Sequence, residues 1–251
     1  TLSSSSAASD VYKRQVLHPH PQYGGTMNNK VVVDIFQTGS GTSTNMNANE
    51  VISNVAIKNL GGVIGSRSPV HPNDHVNKGQ SSNDVIPTAI HIAGCVGITE
   101  SLIPSLEKLK NSLSEKSEEF WDVIKTGRTH LQDATPIRLG QEFLGYSGQI
   151  DESIKRAKNS LNELSVLALG GTAVGTGIGM QKGFSKKVIE KLSKRFKINF
   201  TESSNHFHSQ STIDSIVSSS GSLKTIAVSL MKIGNDVRWL GSGPRAGIGE
   251  I

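Results

Sequence analysis

A chain of 251 residues, 35% hydrophobic and 19% charged, is long enough to bury one large core or two modest ones. It carries 26 Lys and Arg against 21 Asp and Glu, a formal net charge of +5. These charges are dispersed with few aromatics between them, which excludes a nucleic-acid-binding face, and the mild positive bias suits small dianionic substrates.

No run approaches the ~20 apolar residues of a membrane span. The single cysteine, Cys95, forms no internal disulfide and reads as a buried thiol of a reducing compartment. Residues 1–28 differ from the rest. Ser3 to Ser6 is a serine run, and no apolar signal-peptide core follows it. The segment reads as non-native or disordered and is set aside from the fold.

From Asn29 onward the pattern is that of a folded protein, beginning with a short apolar run, Val31 to Phe36. The segment Thr38 to Glu50 is then crowded with hydroxyls and carboxamides. Ser40 to Asn47 reads equally well as a capped loop or as a set of neutral hydrogen-bond donors for a carboxylate. Asn45 to Leu60 has the spacing of a helix, with Val51, Val55, Ile52 and Ala56 facing inward.

Gly61-Gly62 and Ser66 to Pro69 interrupt it. His71 to Asp84 holds one aliphatic side chain, Val76, so it forms a loop ending at a helix N-terminus, with Ser82, Asn83 or Asp84 as cap. Pro72 spoils His71 and His75 as a helical metal-ligand pair, and no metal is expected.

Val85 to Phe120 reads as helical, kinked at Pro104. A polar island follows, Gly127-Arg128-Thr129-His130-Leu131-Gln132-Asp133-Ala134-Thr135-Pro136. Beyond it Phe143, Ile150, Ala157 and Leu164 alternate with Ser147, Ile154, Leu161 and Ala168, a heptad-like seam of about 26 residues. Pro136 suits the first turn of that helix. Thr129 and His130 are therefore expected just before its start, beside unpaired N–H groups that favour an anion.

The glycine-rich stretch Leu169 to Gly179 lacks a Walker ending and reads as a mobile helix-terminating loop. Phe184 to Phe196 is a short basic helix, and His206-Phe207-His208 is not read as a metal site. Ile213 to Leu240 is the last long helix. Its inward row is expected to be Ile216, Leu223, Leu230 and Val237, alternating with the small residues Ser220, Ala227, Gly234 and Gly241. Asn235, Asp236 and Arg238 on it are assigned to polar contacts between helices. The fold class is all-α, a bundle of long helices with functional loops at helix ends.

Ser40-Gly41-Thr42-Ser43-Thr44-Asn45-Met46-Asn47, His71 to Asp84 and Gly127 to Pro136, with Leu169 to Gly177 and Ser229 to Glu250, resemble the fumarase/aspartase superfamily, specifically class II fumarases. Aspartases look alike over the first two blocks but generally carry Gln where this chain has His130. The resemblance implies reversible addition of water to fumarate to give L-malate, with no metal or organic cofactor. It implies substrate binding by Ser40, Gly41, Thr42, Ser81, Ser82, Asn83 and Thr129, and proton transfer to or orientation of water by His130. His71, Asn73 and Asp74 correspond to a second anion site. Some members have a basic residue three positions before that His, where this chain has Ser68, with Arg67 adjacent.

The resemblance further implies a homotetramer, acting in the cytoplasm or in mitochondria. Residues 29–83 would be the remainder of an N-terminal lyase domain, and 84–251 a truncated central bundle. The family continues past Gly249-Glu250-Ile251 into a loop of the Gly-Ser-Ser-Ile-Met-Pro-Gly-Lys type, which carries the proton-abstracting serine. Without that loop the chain as given is expected to be inactive. The competing readings are another lyase of the superfamily, such as an aspartase, and a non-catalytic helical assembly protein.

Overall fold

The computed structural model describes Val33 and residues 39–251. The segment 1–28 and the rest of the run Val31 to Phe36 lie outside the described residues. The described chain is mostly helical and divides into two compact units: one reaches to His91 and resumes over Val166–Ile213, the other holds Ile92–Ser165 and Asp214–Ile251.

In the first unit, α1 spans Thr42–Asn59 and a five-residue π-helix spans Pro72–Val76. The core-facing side of α1 is mostly polar: Asn45, Asn47, Asn49, Glu50, Ser53 and Asn54 are buried beside Val51 and Ile57, while Ile52 is exposed. Buried carboxamides persist only where they are hydrogen-bonded. Here Asn45 and Asn49 reach Asn77, and Ser53 Oγ donates to the Val70 carbonyl at 2.6 Å.

α2 begins at Ser82 and runs to Gly97. Its cap is Ser81, one residue earlier than expected. Ser81 Oγ accepts from Asn83 N–H at 3.3 Å, and Asp84 Oδ1 accepts from Ser81 N–H at 2.9 Å. This reciprocal pairing is a capping box with Asp in the third helical position.

Strand β3 (Val166–Leu167) pairs in parallel with β4 (Thr201–Glu202), the latter following α5 (Phe184–Phe196) and preceding the short α6 (His206–Ser211). The glycine-rich loop after β3 is pinned rather than mobile. Asp84 Oδ2 accepts from the N–H groups of Gly170 and Thr172 at 3.2 and 2.8 Å, and Gln210 Nε2 donates to the Thr172 carbonyl at 2.7 Å.

In the second unit a π-helix (Ile98–Leu102) joins α2 to α3 (Ile103–Glu119), with Pro104 in the first turn of α3. α3 packs on α4 (Leu139–Leu164), and α4 on α7 (Asp214–Leu240). Most of the α4 seam is as expected: Phe143, Ser147, Ile150, Ile154, Ala157 and Leu164 are buried, but Leu161 is half-buried and Ala168 lies beyond the helix end. Phe143 stands edge-on to both Phe120 and Tyr146, with ring centroids 5.3 and 5.6 Å away.

On α7 the inward row is Ser219, Ile226, Ile233 and Leu240, not the expected one. Ile226 and Ile233 are 2% and 7% exposed, whereas Leu223 and Leu230 are 44% and 37% exposed. Two apolar heptads run along this helix, and periodicity alone does not say which one faces α4.

One 18-residue window inside the helical stretch Ser82–Glu119, of mean hydropathy 1.4, is long and apolar enough to cross a membrane by length and composition, which corrects the expectation that no run approaches that size. A mostly buried core helix meets the same criteria, but only 22% of this window is buried, although Cys95, Ile98, Leu106 and Leu113 of the stretch are core residues.

Between α3 and α4 the polar island forms a β-hairpin, β1 (Ile124–Thr129) with β2 (Gln132–Arg138). Pro136 therefore lies in a strand, opposite Thr126, rather than in the first turn of α4. A two-stranded ribbon tolerates a proline whose missing N–H faces outward.

Candidate active site

In the first unit Ser40, Ser82 and Asn83 come together on the wall of a cavity of about 420 Å³, with Ile86, Phe207 and Gln210. Gly41 precedes α1 in the left-handed conformation (φ 67°), and a Cβ built on it would stand 2.8 Å from Ile86 Cγ1, so both the turn and the approach to α2 need glycine. Thr42 opens α1, with its Oγ1 3.3 Å from Ser40 Oγ.

Asn83 Nδ2 donates to the Ala173 carbonyl at 2.8 Å, tying the start of α2 to the glycine-rich loop. Ser81 Oγ accepts in the cap, which leaves its hydroxyl proton to donate. The result is a pocket of neutral hydroxyl and amide donors at a helix start, an arrangement that holds a carboxylate without neutralising it.

His71 caps the π-helix through Nδ1, which lies 3.2 Å from Asp74 N, and it donates its own N–H to His75 Nδ1 at 2.8 Å. His71 and Asp74 thus face each other, with Nδ1 and Oδ2 3.2 Å apart, and Asn73 sits between them in the same turn. Arg67 lies 3.4 Å from the buried Glu50 carboxylate. Among the described residues, no group of three or more His, Cys, Asp and Glu is placed to hold a metal ion.

The second unit holds Thr129 and His130. Thr129 pairs with Gln132, which leaves His130 and Leu131 as a two-residue turn, both with positive φ (53° and 62°). That geometry matches the right-handed twist of a hairpin. His130 is therefore not beside a helix start. The first amides of α4 are already satisfied, Leu139 N–H by the Val123 carbonyl (2.9 Å) and Gly140 N–H by that of Phe120 (3.0 Å). Seven strand residues, Gln132–Arg138, roughly 23 Å of extended chain, separate them from the tip.

His130 lines a cavity of about 340 Å³ with Lys125, Arg128, Glu142, Tyr146 and Asp236. Lys125 is buried and stands 2.8 Å from Glu142 Oε1 and 2.7 Å from Glu250 Oε2. Burial alone would lower its pKa, but the hydrogen bonds to the two carboxylates outweigh it and hold the ammonium above its usual value. Burial would likewise raise the Glu250 pKa, and the bonds from Lys125 and Arg128 keep it below the usual carboxylate range. Tyr146 donates to Asp236 Oδ2 at 3.2 Å, the contact between α4 and α7 expected of Asp236, and burial followed by that carboxylate pushes the phenol well up.

Sequence reasoning missed Asn77, Lys125 and Glu250 as contacts, and named Asn45 only within the block Ser40 to Asn47 and as a helix start. No local signal marks their partners, because each finds its partner across the fold. Asp84 it named only as a candidate cap. Ser81-x-x-Asp84 does carry a capping signature that was there to be found.

The described residues thus define an all-α class of long helices with polar loops at their ends. A family model described as Lyase matches residues 21–251. The mitochondrial fumarate hydratase of Danio rerio is 54% identical over 227 residues, covering 90% of this chain and 45% of that protein. The class II fumarate hydratase of Wigglesworthia glossinidia brevipalpis is 56% identical over 217 residues, covering 86% and 47%. The crystal structure of class II fumarase from Schistosoma mansoni matches with a TM-score of 0.87 at 39% identity, covering 96% of this chain and 53% of that one. The chain belongs to this lyase family. It spans about half the length of the relatives it matches.

Proposed function

We propose that the protein carrying this chain is a fumarate hydratase, interconverting fumarate and L-malate. The observation that carries this reading is the cavity where Ser40, Ser82 and Asn83 meet as neutral donors at the start of α2. Proton removal next to a carboxylate builds charge on that carboxylate, and positioned donors stabilise it where it forms. Gly41, Thr42 and Ser81 would complete the substrate-binding set, and Thr129 would contact substrate from the hairpin. His130 would orient or deprotonate the attacking water, a role open to an imidazole because one ring nitrogen donates while the other accepts.

His71, Asn73 and Asp74 would form a second, accessory anion site. A homotetramer accounts for the exposed apolar row of α7, where Val217, Leu223, Val228, Leu230 and Met231 face outward on a helix 27 residues long. Relatives at similar identity bear mitochondrial and bacterial names. Cys95, buried and unpaired, fits a reducing compartment, and a cytoplasmic location is the simplest reading.

The test is a coupled absorbance assay on the full-length protein with fumarate, L-malate and aspartate in turn. Fumarate hydration well above aspartate deamination is expected. Aspartate turnover exceeding fumarate hydration would assign the protein to the aspartases instead.

A further inference from the structure

Ser82 is both hydrogen-bond donor and acceptor, and a ligand in the cavity of the first unit meets only what the protein leaves unused. Asn45, 6% exposed, donates from Nδ2 to Ser82 Oγ at 3.0 Å. The same amide nitrogen lies 3.3 Å from Asn77 Oδ1, which also accepts from Asn49 Nδ2 at 3.0 Å.

The direction of these bonds is set at one end. Asn77 Nδ2 points to the Gln80 backbone carbonyl, 3.5 Å away, and a carbonyl only accepts. Turning Asn77 over would set its oxygen against that carbonyl and its nitrogen against the amide nitrogens of Asn45 and Asn49. The polarity therefore runs one way, from Asn45 to Ser82. The Ser82 hydroxyl oxygen is occupied by Asn45, and no described residue accepts its proton.

We propose that Asn45 is a positioning residue that commits the Ser82 hydroxyl to donating into the cavity, so that this wall takes hydrogen-bond acceptors such as a carboxylate oxygen and disfavours donors. The inference rests on the dicarboxylate reading above and adds a residue and a direction to it. Asn45→Asp is nearly isosteric and reverses the polarity: a carboxylate at that position accepts the Ser82 proton and withdraws it from the ligand. Losing a hydrogen bond to a charged ligand weakens binding about tenfold or more.

The experiment is a double-mutant cycle by titration calorimetry on the full-length protein, with fumarate and L-malate as probes. It uses the parent, Asn45→Asp, Ser82→Ala and the double variant, with circular dichroism to confirm folding. Asn45→Asp is expected to weaken binding about tenfold in the parent and to have almost no effect once Ser82 is Ala. Equal losses in both backgrounds would mean that added charge or altered packing acts independently of Ser82, and would overturn the proposal, as would unchanged binding by Asn45→Asp. If Asn45→Asp does not fold, Asn45→Ala takes its place in the same cycle, and the same equality overturns the proposal. A parent that binds neither acid overturns the functional reading and this inference with it, an outcome distinct from a parent that binds beside a variant that binds equally well.

Discussion

Lys125 Nζ stands 2.7 Å from Glu250 Oε2, and this pair ties the strand leading to Thr129 and His130 to a residue beyond the end of α7. Glu142 of α4 holds the other side of the same ammonium at 2.8 Å, and Arg128 adds a second bond to Glu250. One buried cation thus connects the hairpin, α4 and the segment after α7.

Glu250→Gln removes the charge and keeps the shape. Glu142 still neutralises Lys125, and the Gln oxygen still accepts from one of the two cations that Glu250 holds, so the expected cost is that of one charge-assisted bond, about 1–2 kcal/mol. The Glu250 pKa is lowered in the folded protein, so its contribution is present above the unfolded carboxylate value and is lost as pH falls through the folded one. The Lys125 pKa is raised, so its contribution is complete below the ordinary lysine value and is lost as pH rises through the folded one. Urea midpoints of parent and variant should differ between about pH 5 and pH 10 and converge in stronger acid. A gap that persists undiminished at the lowest pH at which both fold would show that Glu250 acts through packing rather than charge.

Asp84 is wholly buried and accepts from three backbone N–H groups, those of Ser81, Gly170 and Thr172. Asp84→Asn leaves one acceptor oxygen and turns an amide toward donors. At least one N–H is orphaned, at about 1–3 kcal/mol. Amide hydrogen exchange should quicken at Gly170 and Thr172 while the α4 seam is unaffected. Exchange unchanged at both positions would show that the glycine-rich loop is held by other contacts.

The long helices were legible because their apolar residues recur at helical spacing over many turns. The span of α5, Phe184–Phe196, and the seam of α4 needed nothing more. The hairpin was not legible. Six- and seven-residue strands rich in Lys, Arg, Gln and Asp, exposed along most of their length, carry no alternating pattern. Pro136 imitates a helix start. The inward face of α7 failed for a different reason, since both of its heptads are apolar. The candidate site was readable only as blocks of residue types in order, not as geometry. Nothing in the local sequence shows that Asn45 of α1 meets Ser82 of α2, or that Asp84 reaches over to Thr172.

Burial pushes the Cys95 thiol up to about 11. At pH 8 almost none of it is thiolate, the form that reacts. A maleimide or disulfide reagent should label the native protein very slowly at pH 8 and label the single thiol promptly in urea. Fast native labelling would mean that the helix around Cys95 opens readily.

The central claim is that His130, held at the tip of a two-residue turn, acts on water during hydration of fumarate. Its most direct test is the steady-state kinetics of His130→Gln in the full-length protein, with His71→Asn beside it. His130→Gln should lower kcat about 10²–10⁴-fold with little change in KM, because a positioned proton-transfer group acts in the transition state more than in binding. His71→Asn should change either constant far less. A His130→Gln enzyme within about a factor of two of the parent would contradict the account, since loss of such a group costs about 10²-fold or more.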